Sequence, residues 1–560
     1  MAIPFPSRRS PVSGRGGMVA SSQPLATAAG LEILSKDGNA ADAAVATAAA
    51  LNVTEPTSTG LGGDMFALYF EAATGQVTAL NGSGRAPASL TLNLLHEHGF
   101  GDHAKDPAEA KLEMDLPPFH PFTITIPGAC AGWCDLLERH GTARQNATGA
   151  PLNLETIFAP AIRMAEEGFP VAPMTSHFWR RAAERLLKDS LNGIELTIKG
   201  RGPNPGELFR NPGLARTLKR IAEGGKNAFY EGEIGAAIAS SVQQAGGCLT
   251  EADLTAHTST WDEPISTSYG GLRLWECPPN GQGITTLLAL NILEGFELPP
   301  DALSANRLHL EIEAMRLAFA DTRWYVADPN HVPIPVIGLL SKEYAAERRL
   351  LIDRKNATMD QQRGTPLAGS DTVYFCVVDQ WGNACSFINS NYMGFGTGIV
   401  PHGWGFSLQN RGHNFSLQAG HPNVVAPGKR PYHTIIPAMI TRETDGSLFG
   451  PMGVMGGFMQ PQGHLQVFLR LSEGIDPQSA LDMPRFCIND GTASGEVALE
   501  EGIPDEVIAD LAQRGHRVRQ VKGWERALFG RGQVILRDPA TGILVGGSDP
   551  RADGCAMTLS

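Results

Sequence analysis

Ser370-Asp-Thr-Val-Tyr-Phe-Cys-Val-Val-Asp-Gln-Trp-Gly-Asn-Ala-Cys-Ser-Phe-Ile388 is the stretch on which the fold turns. Val373 to Val378 is apolar at every position, without the alternation of a half-exposed strand, so it reads as a strand covered on both faces. Asp379-Gln-Trp-Gly-Asn383 makes a turn, and Ala384 to Ile388 returns. Between Lys355 and Ser370 the composition is polar and Gly-containing, as in an exposed connection. A solvated connection that runs straight into a doubly buried strand places Thr372 at a boundary.

N-terminal to this hairpin, Ala26 to Ser35 has helical spacing and ends at Gly38, a residue suited to a left-handed cap. Asn39 is placed to N-cap a second, Ala-rich helix over Ala40 to Leu51. The loop Glu55-Pro-Thr-Ser-Thr-Gly-Leu-Gly-Gly-Asp64 follows. Beyond it come the apolar run Met65 to Phe70, a turn at Thr74-Gly75 and a strand over Gln76 to Asn81, which together predict a β-hairpin laid on helices. From Ile157 to Leu351 the pattern is mostly helical and reads as structural, including Leu214 to Glu223, Gly283 to Leu293 and Ser304 to Thr322. Gly450-Pro-Met-Gly-Val-Met-Gly-Gly457 precedes a helical pattern from Pro461 to Ser472, so its successive N–H groups read as a cradle for an anion.

The chain has 560 residues, 42% hydrophobic and 18% charged, a globular composition that excludes general disorder. A net charge of -13 gives no field to draw it to phosphate backbones or anionic lipid, so neither nucleic acid nor a membrane is an expected partner. The longest apolar stretches, Ala40 to Val53 and Ile284 to Leu298, are interrupted by polar residues and fall short of the roughly 18 that span a bilayer. Met1 to Gly17 carries arginines without an apolar core after them, and the 8 cysteines are scattered. Both observations predict a cytoplasmic protein with free thiols.

Metal and cofactor chemistry are not expected. There is no His-Glu-x-x-His pair, and Cys130 and Cys134 have no second pair at finger spacing. Walker and Gly-x-Gly-x-x-Gly patterns are missing, as is a Gly-x-Ser-x-Gly elbow, and Gly60-Leu-Gly-Gly63 alone is a weak nucleotide signal. Thr372 remains. A threonine hydroxyl needs a base beside it, and a cut before Thr372 frees one, the new α-amino group. With an ordinary pKa of about 7.7 to 8.0, a useful fraction of that amine is neutral at physiological pH. The bland alternative is that Thr372 simply opens a strand, where threonine is favoured.

Read along its whole length from about Met18, the chain resembles the γ-glutamyltransferase (glutathione hydrolase) family of N-terminal-nucleophile hydrolases. The strings that carry the resemblance are Gly38-Asn-Ala-Ala-Asp-Ala-Ala-Val45, Gly60-Leu-Gly-Gly-Asp64, Arg85-Ala-Pro87, Ile126-Pro-Gly128 and Asn280-Gly-Gln-Gly283. Further on they are Thr372 with Val377-Val-Asp379 and Gly382-Asn-Ala384, Phe395-Gly396, Lys429-Arg-Pro431, Gly456-Gly457 and Ser548-Asp-Pro-Arg551. The resemblance implies an α+β fold, the αββα sandwich of N-terminal-nucleophile hydrolases. It also implies a precursor that cuts itself between Asp371 and Thr372, leaving residues 1–371 as a large subunit and 372–560, 189 residues, as a small catalytic one, together forming one intertwined domain. Thr372 would be nucleophile and, through its amine, base. Ser390 stands where the family places a second hydroxyl, and Gly456 and Gly457 where it forms the oxyanion hole. The implied substrate is a γ-glutamyl amide such as glutathione or a conjugate, with no cofactor and no metal.

The head-group positions depart from the family. Where its transpeptidases carry an Arg for the substrate α-carboxylate, three residues before the Ala of the Ala-Pro pair, this chain has Ser83, with Arg85 two positions later. His433-Thr434 replaces a Ser-Ser pair, Tyr392 replaces an Asn, and Asn414 replaces the Asp that holds the α-amino group. Arg85, Tyr392, Asn414, His433 and Thr434 are therefore candidate substrate-binding residues. The bland alternatives are a solvated loop arginine for Arg85 and a packed polar group for His433. A neutral amide at Asn414 weakens recognition of an ammonium, since charge-assisted hydrogen bonds are roughly twice as strong as neutral ones. Two alternatives follow: an acylase acting on other amide or peptide-conjugate substrates, and a non-catalytic homologue that stays one chain.

Overall fold

A strand that is apolar on both faces needs a cover on each. The computed structural model, which describes residues 9–101, 116–144, 148–358, 372–489, 491–492 and 495–559, supplies both. Along the strand Val373–Val378, Tyr374, Cys376 and Val378 point into a core between two sheets, while Val373, Phe375 and Val377 point into a core shared with helices. The two sheets have seven strands each, and every pairing within them is antiparallel. One runs Cys555–Thr558, Met18–Ser21, Val373–Val378, Ala384–Ser390, Asp64–Glu71, Gln76–Gly82, Thr260–Asp262. The other runs Val12–Gly14, Leu544–Ser548, Arg531–Arg537, Leu448–Met455, Ala438–Arg442, Leu272–Glu276, Ile265–Tyr269. Helices cover the outer face of each sheet through separate cores, giving the expected αββα sandwich. Both sheets draw strands from either side of residue 372. Asp371 and the connection over 359–371 lie outside the described residues.

The helix Ala40–Thr54 is buried along its whole length, which explains its alanines: a helix packed on every side has room only for small side chains. Asn39 caps it as expected, accepting from the Ala41 and Asp42 amides while Asp42 accepts from the Asn39 amide. Asp379, in the hairpin turn, accepts from Ala40 N at 3.0 Å, from the Trp381 and Asn383 amides and from Asn383 Nδ2. Burial pushes its carboxyl up to about 6 despite these donors. One side chain thus closes the turn and fixes the hairpin to the helix.

Three expectations need correction. The left-handed residue after the helix Pro24–Leu34 is Asp37, at φ 60°, and Gly38 is small for a different reason, since a Cβ there would lie 2.9 Å from the Ile33 carbonyl oxygen. Most of Gly450 to Gly457 belongs to the strand Leu448–Met455, leaving only Gly456 and Gly457 in the turn before the helix Met459–Ser472. The span 157–351 contains three strands, Thr260–Asp262, Ile265–Tyr269 and Leu272–Glu276, that extend both sheets. Their burial is intermediate at most positions, so they lack the uninterrupted apolar signature of the central strands. Among the described residues no helix is long and apolar enough to cross a membrane.

Between the second sheet and its helices, Glu276 and His464 share a hydrogen bond of 2.8 Å and are wholly buried. Burial raises the Glu276 carboxyl well above the usual carboxylate range and lowers the His464 imidazole to about 3. Whichever partner carries it, the folded pair holds one proton that the unfolded chain releases above the ordinary histidine pKa of about 6.5. Stability therefore falls as pH rises from there, by up to about 1.4 kcal/mol per pH unit until the folded pair ionises. In Glu276→Gln that proton is absent from both states. Urea midpoints followed from pH 7 to 9 are expected to decline more steeply for the parent than for the variant; parallel curves would exclude a protonated pair.

Candidate functional site

Strand register builds the centre of the site. Val373 pairs with Asn389, so Thr372 and Ser390 stand side by side at the open end of the hairpin, with Thr372 Oγ1 3.0 Å from Ser390 Oγ. The next strand continues the row, since Ser390 pairs with Asp64. All three side chains are buried. Eighteen residues of sequence and a tight turn, closed by Asp379, separate the two hydroxyls.

Around this row lies a connected polar layer. Ser390 Oγ accepts from the Tyr392 amide at 2.8 Å and from Arg411 Nη2 at 3.2 Å. Arg411 also donates through Nη1 to Thr434 Oγ1 at 2.7 Å, and its guanidinium lies 4.4 Å from the centre of the Tyr392 ring. Tyr392 has φ 77°, a left-handed backbone that turns the chain out of the strand directly after the hydroxyl pair. Asp64 Oδ2 accepts from His433 Nε2 at 3.0 Å and faces Arg411 Nε at 3.9 Å, while Oδ1 accepts from Gly84 N and Gln409 Nε2.

The charges of this layer balance. Burial works to raise the Asp64 carboxyl, but the His433 hydrogen bond and the neighbouring Arg411 outweigh it and hold the group below the usual carboxylate range. Burial, with repulsion from Arg411, lowers His433 to about 3, so its imidazole is neutral. Its tautomer follows from its partners: Nε2 carries the proton given to Asp64, and Nδ1 accepts from the Ile435 amide at 3.3 Å. Burial lowers Arg411 to about 10, which leaves it charged near neutrality. One carboxylate and one guanidinium therefore compensate each other beside two neutral hydroxyls.

Gly456 and Gly457 adopt φ 130° and 54°, conformations open to glycine, between a central strand and the helix Met459–Ser472. Gln282 Nε2 donates to the carbonyls of Gly457, at 2.9 Å, and Thr434, at 2.7 Å, while Gln282 Oε1 accepts from the Tyr432 hydroxyl. That carbonyl orientation is fixed from outside the turn. Among the described residues neither the Gly456 nor the Gly457 N–H donates to a protein acceptor. Hydrogen bonds thus run without a break from Gly457 through Gln282, Thr434, Arg411 and Ser390 to Thr372.

Of the nine described candidates, Thr372, Ser390, Tyr392, His433, Thr434, Gly456 and Gly457 come together in this layer. Asn414 shares the short turn Arg411–Asn414; its carbonyl accepts from Asn423, and among the described residues its Nδ2 meets no acceptor. Arg85 stays outside, half-buried, with Nη1 on the Thr258 carbonyl at 3.0 Å. Sequence reasoning missed Asp64, Gln282 and Arg411. The first two stood inside quoted strings and only their roles were unread; Arg411 lies in no such string and gave no signal. Cys376 and Cys385 are buried free thiols, held protonated by burial.

Among the described residues one grouping has metal-ligand chemistry, His309, Glu313 and His516, with ligand atoms within 4.8 Å of one another. His309 and His516 already hydrogen-bond each other at 2.8 Å, and Arg316 Nε lies 3.6 Å from Glu313 Oε1. A guanidinium therefore stands beside the one carboxylate a cation would use.

Comparison with known proteins agrees with this fold. The chain is 36% identical over 554 residues to the glutathione hydrolase-like YwrD proenzyme of Bacillus subtilis, covering 98% of this chain and 99% of that one. It is 33% identical to the oxamate amidohydrolase proenzyme of Klebsiella pneumoniae, covering 96% and 98%. Among solved structures, a cephalosporin acylase from Bacillus halodurans superimposes with a TM-score of 0.89 at 44% identity, covering 100% of this chain and 98% of that one. The profile of the gamma-glutamyltranspeptidase family matches residues 26–559, and the chain belongs to that family.

Proposed function

We propose that the chain is the precursor of an N-terminal threonine amidohydrolase. The observation that carries this reading is the Thr372–Ser390 hydroxyl pair, 3.0 Å apart and buried at the mouth of the central hairpin. In the precursor, Thr372 Oγ1 attacks the Asp371 carbonyl carbon, the bond to Thr372 N breaks, and water hydrolyses the resulting ester. The products are a carboxylate on residue 371 and a free amine on residue 372. Strands from both sides of the break pair with one another in both sheets, so the pieces stay together.

In the mature form that amine takes the Thr372 hydroxyl proton as Oγ1 attacks a substrate amide. The oxygen that gains charge meets the N–H groups of Gly456 and Gly457, donors of a kind whose individual loss typically costs about 10²–10³ in rate. The amine returns its proton to the leaving nitrogen, and water, deprotonated by the same amine, resolves the acyl-enzyme.

For the substrate, the reading favours an acyl group without a free α-ammonium. Asp64 is committed to His433, Gly84, Gln409 and Arg411, and Asn414 offers no charge. An ammonium entering here would lose its hydration without gaining a carboxylate partner. The relatives named as an acylase and an amidohydrolase support this class. Cleavage of γ-glutamyl amides such as glutathione is the second reading, favoured by the family itself and by the glutathione hydrolase-like relative.

Thr372→Ala is expected to remain one 560-residue chain on a denaturing gel and to show no turnover. A variant that still divides would end the shared-nucleophile mechanism, and a parent that never divides would favour the non-catalytic homologue. Glutaryl and γ-glutamyl anilides differ only in the α-ammonium. The parent is expected to prefer the glutaryl compound, and Asn414→Asp to move the ratio of kcat/KM values toward the γ-glutamyl one by about tenfold, the worth of one charge-assisted hydrogen bond. A parent that prefers the γ-glutamyl anilide would decide for the second reading.

A further inference from the structure

A pair of glycines does not hold its own peptide planes, because each has wide backbone freedom. At Gly456 and Gly457, with φ 130° and 54°, two bonds come from the helix that follows. Met459 N donates to the Gly456 carbonyl at 2.9 Å, and Gln460 N to the Gly457 carbonyl at 3.2 Å. Both move with the turn they close. Among the described residues the one donor to these carbonyls from another element is Gln282 Nε2, 2.9 Å from the Gly457 oxygen. We propose that Gln282 is a positioning residue for the reaction, holding the glycine turn so that its N–H groups keep their aim at the oxygen that gains charge. Its role rests on the reading of Thr372 as nucleophile and of the glycine pair as oxyanion donors.

Gln282 is itself firmly placed. It stands at the N-cap of the helix Gly283–Leu293, where Ser, Thr, Asp or Asn ordinarily accepts from the first helix amides, yet its side chain makes no such bond. Its main chain is tied to the site segment instead: Gln282 N donates to the His433 carbonyl at 3.0 Å, and His433 N to the Asn280 carbonyl at 2.9 Å. The side chain is wholly buried, and its partners fix its orientation. Nε2 has two N–H groups and faces two carbonyls, Thr434 at 2.7 Å and Gly457 at 2.9 Å, while Oε1 accepts from the Tyr432 hydroxyl at 3.0 Å. Turned over, the amide would set an oxygen against two oxygens.

One nitrogen therefore spaces two walls of the site, the glycine turn and Thr434, whose hydroxyl takes Arg411 Nη1 at 2.7 Å. Gln282 belongs to the part of the chain before residue 372, whereas Thr434 and Gly457 belong to the part after it. After the cut, the large piece still fixes the donors that the small piece presents. No bond or proton changes at Gln282, which acts only through the backbone it holds.

Anilide kinetics, precursor conversion and thermal midpoints are compared for the full-chain parent, Gln282→Met, Gln282→Glu and Tyr432→Phe. Gln282→Met keeps the length of the side chain and removes both Nε2 donors. It is expected to divide as the parent does and, once mature, to lose about 10- to 10²-fold in kcat with KM changed less than about threefold, below the roughly 10²–10³ that loss of a whole oxyanion donor costs. Gln282→Glu, nearest in shape, puts an oxygen in place of Nε2 and is expected to lose at least about tenfold, so the comparison stands even where Gln282→Met fails to fold. Tyr432→Phe removes only the bond to Oε1 and is expected to cost less than about threefold. Full activity in both Gln282 variants, a loss confined to KM, a loss matched by Tyr432→Phe, or a folded Gln282→Met that does not divide would each overturn the role of Gln282 while leaving Thr372 as nucleophile. A parent that never divides would instead overturn the underlying reading.

Discussion

Asp64 is the constraint from which the rest of the site follows. A wholly buried carboxylate is tolerated only with compensation, since taking one ion out of water costs several kcal/mol even after relaxation. Here the compensation comes from four sides: His433, the Gly84 amide, Gln409 and the Arg411 guanidinium. Arg411 brings its own demand for acceptors, met at Nη1 by Thr434 and at Nη2 by Ser390, and Ser390 meets Thr372. Because Asp64 pairs in register with Ser390, the requirement to neutralise one charge and the placement of the two hydroxyls are the same geometric fact.

Close backbone approach keeps this layer buried. A Cβ on Gly63 would lie 2.3 Å from the Ser390 carbonyl oxygen, and one on Gly62 would lie 2.1 Å from that of Ser407. The Gly60-Leu-Gly-Gly63 string therefore lets two chain segments touch and is not shaped to wrap a phosphate. In so buried a layer hydrogen bonds to charged groups strengthen, and an unpaired ionised side chain becomes correspondingly costly.

Some motifs that carried the family resemblance serve architecture. Ser548-Asp-Pro-Arg551 builds a buried ionic cluster, with Arg551 bound to Glu500 at 2.7 Å and to Asp549 at 3.0 Å, and Arg485 bound to Asp549 at 2.8 Å. It joins the end of the strand Leu544–Ser548 to the small sheet Phe486–Ile488, Val497–Glu500, Val518–Val521. Asn280-Gly-Gln-Gly283, read as part of a structural middle segment, instead reaches the site through Gln282. A recurring string therefore marks a constraint on the chain, and only the fold shows whether that constraint is chemical or mechanical.

The amino-acid sequence by itself determined the elements with strong local signals. The strand Val373–Val378 is apolar throughout because each face meets a core, the capped alanine helix is packed on every side, and Thr372 precedes that strand at the end of a polar connection. Ser390, Gly456 and Gly457 were legible through resemblance. Tertiary structure alone decided which cation stands beside the hydroxyl pair, because Arg411 lies 21 residues beyond Ser390 and 347 beyond Asp64, with no periodicity linking them. It also decided that Arg85 stays outside the layer and that half-buried strands before residue 280 complete both sheets. Local pattern records what each segment buries, whereas charge compensation and hydrogen-bond direction are properties of groups that meet only after folding.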